Sequence, residues 1–389
     1  MSKIPFWKIK RELHRLRREG GGFLRELPRK LYFRRYYDLV SSKAIRRTKG
    51  KTYLKREVAI YLIFPENGVL ESHIFMLREL QRDGIDTVVV SNLPLTDNDR
   101  DRLLETAARI IERPNVGYDF GGYRDGMLDI AGLLPDLDRV WLLNDSVWMV
   151  SQSISWFAQA RALNKDFTGA TSSFSILRKT LWGARRFDAT DYRNIVWRHQ
   201  PENRNFHYGS YALCIGKAIL QDPRFLDYWR KLEIRNGKKH TVRRGEIGLS
   251  QWALRHGYSH GATHEIDRLP QELAKLSDAE LDQTARELIL FKDTALAGIS
   301  PSVLLTDTSS VAGRAERMGL ILTAVARHGS AYALALYNLR HTTFPFLKKS
   351  PLWLSSDGPA SMLKLAEDIS TPPTAHIAAE AHQLCDRLR

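Results

Sequence analysis

From Val58 to Phe64 the chain runs through seven apolar residues without a break, the pattern of a strand buried on both faces of a parallel sheet. Pro65 to Gly68 supply a turn, and Leu70, Ile74, Leu77 and Leu80 recur at helical spacing before Gly84 closes the segment. The alternation then repeats, with a strand over Asp86–Ser91, a helix over Thr96–Ala108 and strands over Arg109–Glu112 and Arg139–Leu143. Beyond Ser146 it is less regular. A helix is expected near Ile154–Leu163, strands near Phe167–Ser172 and Tyr211–Ile215, helices near Arg224–Leu232 and Glu246–His256, and a last strand flanked by His260 and His264. From about residue 270 the pattern is mainly helical and includes an aromatic, proline-containing basic stretch from Phe344 to Trp353. This order predicts an α/β fold with a mostly parallel, doubly wound sheet and right-handed crossovers. The expected division is a basic arm over residues 1–56, an α/β domain over 57–265 and a mainly helical region over 266–389.

Composition fits a soluble globular chain: 43% hydrophobic and 26% charged residues leave enough apolar surface for a core. Cys214 and Cys385 are too few for a disulfide framework and form no metal-binding spacing. Charge changes the picture more. Residues 1–56 hold 19 Lys and Arg against 4 Asp and Glu, while the remainder balances at 40 each, so the whole net charge of +15 sits in the first segment. There Phe6, Ile9, Leu13 and Leu16 lie at helical spacing among Lys8, Lys10, Arg11, Arg15, Arg17 and Arg18. Such a basic amphipathic segment suits an anionic membrane surface, with a solvated arm or a nucleic-acid contact as the alternatives. No apolar run approaches the ~20 residues of a spanning helix; Leu320–Leu339 is broken by Arg327 and His328. The opening stretch has no secretory-signal pattern, so the expected place is cytoplasmic, peripheral at the inner face of the plasma membrane.

Ligands of open α/β sheets bind beyond the carboxyl ends of the strands, which directs attention to two loops. The first, Asn115-Val116-Gly117-Tyr118-Asp119-Phe120-Gly121-Gly122-Tyr123-Arg124, has glycines that would let a backbone approach a diphosphate at a helix start. A tight turn capping a helix explains them as well. The second is Leu142-Leu143-Asn144-Asp145-Ser146, where Asp145 could hold a cation or a ribose hydroxyl, or simply cap a helix. Arg113, Arg124, Arg243 and Arg244 offer paired donors to phosphate, and solvation explains each of them equally.

The two motifs together, followed by His207-Tyr208-Gly209-Ser210-Tyr211, Phe225, Trp229 and Glu246-Ile247-Gly248-Leu249-Ser250, resemble the rhamnan synthesis protein F family of bacterial polysaccharide glycosyltransferases over about half the chain. The resemblance implies a glycosyltransferase A-type fold, a nucleotide-sugar donor such as an activated deoxysugar, and a polysaccharide or lipid-linked glycan acceptor. It implies donor and substrate contacts from Asn115, Gly117, Tyr118, Asp119, Gly121, Gly122, Arg124, Asn144 and Ser146, with His207 and Tyr208 on the acceptor side. Where the broader A-type group carries an Asp-x-Asp metal motif, this chain has Asn144-Asp145-Ser146, one carboxylate instead of two. A divalent cation, magnesium or manganese, on Asp145 with His264 as a late ligand therefore stays open, and a lone histidine is more often structural. By position Glu246 is the candidate base and Asp145 the second catalytic carboxylate; a plain helix-terminus role for Glu246 is the competing account. A non-catalytic nucleotide-sugar-binding or scaffold protein of a polysaccharide assembly complex is the alternative to an enzyme.

Overall fold

A computed structural model describes residues 36–173, 199–290, 293–354, 358–370 and 372–386. Its strands are β1 (Arg46–Lys49), β2 (Glu57–Ile63), β3 (Asp86–Ser91), β4 (Arg109–Glu112), β5 (Arg139–Asn144), β6 (Val147–Met149), β7 (Phe167–Ser173), β8 (His207–Tyr208), β9 (Ala212–Gly216), β10 (His260–His264) and β11 (Phe346–Lys348). Nine of them form one sheet in the order β1-β4-β3-β2-β5-β9-β7-β10, with β8 on β7. Strands β4, β3, β2 and β5 are mutually parallel, as the alternating pattern predicts. The other half is mixed: β9 runs antiparallel to both β5 and β7, and β10 returns parallel to β7. The mostly parallel expectation thus holds for one half of the sheet only. The reason is that β8 and β9 run in one direction back along β7, an antiparallel return that needs no crossover.

The unbroken apolar run of β2 is explained by burial on both sides. Val58, Ile60 and Leu62 enter one core with Tyr123 and Met127, whereas Ala59, Tyr61 and Ile63 enter the other with Leu77 and Trp141. Two expected boundaries move. Residues 36–56 are not all arm: β1 extends the sheet antiparallel to β4, and Tyr37 is buried with its hydroxyl bonded to Asp125. The amphipathic helix expected near the start of the arm lies outside the described residues. The C-terminal region is joined to the α/β part, since β11 pairs antiparallel with β6, and Glu380 bonds both the Ser72 amide and the Trp148 indole. Among the described residues no helix is long and apolar enough to cross a membrane.

The glycine-rich segment is itself helical, from Tyr118 to Asp129, with Gly117 as a left-handed N-cap at φ 87°. Glycine in a helix interior costs roughly 1 kcal/mol relative to alanine, so packing must select it here. A Cβ on Gly121 would stand 2.2 Å from the Val116 carbonyl oxygen, and one on Gly122 would stand 2.3 Å from Leu62 of β2. Gly122 brings the helix down onto β2, and Gly121 lets it close on the loop before it.

Candidate active site

The turn from β4 into this helix places Gly117 and Tyr118 consecutively in the left-handed region, Tyr118 at φ 52°. A non-glycine residue there carries backbone strain, and such strain concentrates at functional sites. It aims the first helical turn, with Asp119, at the end of β5. The Asn144 amide donates to Asp119 Oδ2 at 3.2 Å, while Asn144 Oδ1 accepts from the Ser146 amide at 3.1 Å and its hydroxyl at 2.5 Å. Asp119, Asn144 and Ser146 therefore form one connected edge.

Glu246 joins them from the far half of the sheet. It was expected to open a helix; instead Lys238–Thr241, a π-turn over Val242–Glu246 and Ile247–Arg255 follow one another without a break. A helix-terminus role is thereby removed, and π-turns recur at functional positions because the extra residue re-aims a side chain. Glu246 Oε1 accepts from the Ser210 amide at 3.0 Å, and the Tyr123 hydroxyl donates to the Ser210 carbonyl at 2.7 Å, so this peptide holds the carboxylate in place.

A residue that pattern reading did not single out completes the cluster. Pairing of β11 with β6 sets Lys348 opposite Val147, and its ammonium donates to the Ser146 hydroxyl at 3.2 Å. The same ammonium lies 3.8 Å from the centre of the Tyr211 ring and 5.5 Å from that of Tyr332. Lys348 is only 6% exposed. Burial lowers its proton affinity against the pull of Glu246 and Asp119, bringing its pKa down to about 8. Burial and the nearby Glu246 charge push the Asp119 carboxyl up to about 6. The only signal for Lys348 in the sequence was a basic pair set among aromatic and apolar residues in the Phe344–Trp353 stretch.

Asp145 stands behind this edge. Its Oδ2 accepts from the Phe64 amide at 2.6 Å and from His73 Nε2 at 3.2 Å. The Leu70 amide donates to His73 Nδ1, which leaves the ring proton on Nε2. Burial alone would raise the Asp145 carboxyl, but the bond from His73, the Lys349 charge and the Phe64 amide outweigh it and hold the carboxyl below its ordinary value. His264 is elsewhere: its ring packs 5.1 Å from Phe344, and burial lowers its pKa to about 4. Asp145 thus spends its carboxylate on His73 and Phe64, while His264 Nε2 is buried with no hydrogen-bond partner among the described residues. Among the described residues no three His, Cys, Asp or Glu side chains converge as a metal site.

Other expected contacts are corrected in the same way. Arg124 is buried, paired with Asp38 at 2.6 Å and donating to the Trp229 carbonyl at 2.9 Å, so its guanidinium is spent on packing. Arg113 binds Asp125, Asn92 and the Val116 carbonyl from a fully buried position. Gly121 and Gly122 face protein, as described above. Tyr208 is buried beneath Phe206 with its hydroxyl on His260 Nδ1 at 2.6 Å, a core position; His207 is partly exposed and bonds the Asn205 carbonyl. Asn115 and Tyr118 remain partly exposed at the helix entrance, and the Gly117 amide donates to Asn236 at 3.3 Å.

Residues 87–284, which carry every element of this cluster except β2, β11 and their neighbours, match the model of the family described as rhamnan synthesis protein F. The chain belongs to the rhamnan synthesis protein F family. Over 217 residues it is also 32% identical to the uncharacterized protein y4gN of Sinorhizobium fredii (strain NBRC 101917 / NGR234), a stretch covering 55% of this chain and 50% of that one. This member of the family therefore spans about half the length of the curated relative it matches. Among solved structures it is similar to core-mannan synthase A of Aspergillus fumigatus in a Mn/GDP form, at 10% identity, 53% coverage of this chain, 76% of that chain and a TM-score of 0.29. It is likewise similar to the mannosyltransferase Ktr4p of S. cerevisiae in complex with GDP, at 12% identity, 52% and 70% coverage and a TM-score of 0.27. Superposition at that level carries no conclusion about this site.

Proposed function

We propose that this rhamnan synthesis protein F family member is a glycosyltransferase of the A-type, moving a sugar from a nucleotide-sugar donor to a polysaccharide or lipid-linked glycan. The observation that carries the reading is the meeting of Lys348 with Ser146, Asn144, Asp119 and Glu246 beyond the carboxyl ends of β4 and β5, where ligands of such sheets bind. Transfer requires charge stabilisation for the departing nucleoside diphosphate and a base for the acceptor hydroxyl. In this reading Lys348 supplies the positive charge and Ser146 a hydroxyl donor. The carboxylates divide by position: Glu246, held by the Ser210 amide, takes the acceptor proton, and Asp119 with Asn144 orients donor hydroxyls. Asp145 acts as a positioning residue, tying the end of β5 to His73 and Phe64.

Asp145 is engaged by His73 and the Phe64 amide, so in this reading no step is assigned to a metal and Lys348 takes that electrostatic task. An activated deoxysugar such as dTDP-rhamnose is the donor that the family description favours. An acceptor at the inner membrane face agrees with the 12 of 19 early basic residues that precede Tyr36. The test is a thermal-shift screen of the full chain against UDP-, GDP- and dTDP-sugars, followed by nucleoside diphosphate release with a lipid-linked acceptor. A donor that raises the melting temperature in the wild type and not in Lys348→Met supports the reading. Binding without any turnover would make the chain a scaffold, and equal shifts in both proteins would move the donor elsewhere.

A further inference from the structure

The helix that carries Glu246 has a second face. Arg244 lies two residues before Glu246, about half a turn round, and shares its side of the helix with Gly248, Trp252 and Arg255. That side opens on a cavity of about 710 Å³ lined by the helices Pro223–Lys231 and Lys238–Arg255. The cavity is large enough for a small organic molecule.

Its charge is unbalanced. The two acidic residues on its wall are already neutralised, Asp227 by Arg230 and Lys231 at 3.6 Å and Glu233 by Arg235 at 2.7 Å. Arg224 is likewise held by Asp222 at 2.8 Å. Arg243, Arg244 and Arg255 line the same cavity, and none of the three has a carboxylate within ion-pair distance among the described residues. His240 adds a ring whose Nε2 has no hydrogen-bond partner there. Burial, followed by the Arg235 charge, lowers the proton affinity of that ring. Trp252 and Leu232 give the wall an apolar portion, and the Tyr228 hydroxyl donates to the Arg244 carbonyl at 2.9 Å, fixing the backbone from which the arginines project.

We infer that this cavity is a binding site for an organic phosphate or diphosphate, separate from the Lys348 cluster. Guanidinium groups bind phosphoryl oxygens through paired hydrogen bonds, and the Trp252 side of the wall accommodates the apolar or sugar portion that such a ligand carries. The inference does not rest on the glycosyl-transfer reading. The chemistry is common to a phospholipid headgroup and to a soluble phosphate ester.

The test titrates pyrophosphate into the full chain by calorimetry, for the wild type, the Arg243→Gln/Arg244→Gln double variant, Arg255→Gln and Lys348→Met. Arg243 and Arg244 are exposed, so their replacement leaves the fold intact, which circular dichroism verifies. The expected result is a binding event that persists in Lys348→Met and weakens by about tenfold or more in the double variant, with a smaller loss in Arg255→Gln. A titration unchanged in the double variant overturns the inference, as does the absence of any event that survives Lys348→Met. A second arm floats the same proteins on phosphatidylcholine vesicles with and without phosphatidic acid. A parallel loss of flotation in the double variant assigns the site to a lipid headgroup; unchanged flotation with lost pyrophosphate binding assigns it to a soluble ester. Failure of the glycosyl-transfer reading would show separately, as a Lys348→Met variant that binds nucleotide-sugars like the wild type.

Discussion

The helix Tyr118–Asp129 carries two carboxylates in contrasting surroundings. Asp125, in its second half, is closed: Arg113 pairs with it, the Tyr37 hydroxyl donates to it, and Asn92 and the Val116 carbonyl take up further guanidinium hydrogens. Asp119, in the first turn, is open: it accepts from a neutral amide and faces another carboxylate, Glu246, with Lys348 as the nearby cation. A buried charge that is fully paired holds structure, whereas one whose neighbours leave it short of a partner is poised for a ligand. The same contrast separates Arg124, consumed by Asp38 and backbone carbonyls, from Lys348, which among the described residues meets a hydroxyl and aromatic faces directly.

The sharpest test of the open cluster is Glu246→Gln, which keeps the bond from the Ser210 amide but cannot accept a proton. Turnover is expected to fall by about 10²–10⁴-fold with donor affinity unchanged, measured by nucleoside diphosphate release and calorimetry. In the closed cluster, Arg113→Met leaves Asp125 buried without its cation and is expected to cost about 3–5 kcal/mol in urea unfolding. An Arg113→Met protein as stable as the wild type would erase the distinction between the two clusters.

Gly121→Val comes next. Its Cβ would collide with the Val116 carbonyl oxygen, so about 1–3 kcal/mol of stability should be lost whether or not donor is present. Lys348→Met should weaken donor binding by about tenfold while raising the melting temperature at pH 7. The folded lysine binds its proton less tightly than the unfolded one, so its charge burdens the fold below about pH 8. Donor affinity of the wild type should correspondingly decline above about pH 8. The smallest effect belongs to Asp119→Asn. Because the folded carboxyl titrates near 6, above its ordinary range, ionising it costs stability; the variant should match the wild type in acid and gain on it as pH rises through about 6.

How much of this was readable beforehand depended on whether the signal was local. The β2 run and the strands Asp86–Ser91 and Arg109–Glu112 were legible because burial on two faces leaves a continuous apolar mark. The helix Tyr118–Asp129 was hidden by its own glycines, which lower helix propensity and are selected by contact with Leu62 and Val116. Glu246 was found by its place in a family motif, but the π-turn that aims it has no pattern of its own. Arg124 and Tyr208 look like ligand contacts in the sequence, because polar residues beside a motif are alike until burial separates them. Lys348 could not be found locally, since its partner Ser146 lies 202 residues earlier in the chain.

That separation has a consequence for the order in which the protein is made. Asn144 and Ser146 leave the ribosome long before Phe346–Lys348 is synthesised, and until that strand pairs with β6 the early edge lacks the Lys348 ammonium. Under the proposed function, the last strand to arrive therefore also times the onset of transfer in a nascent chain.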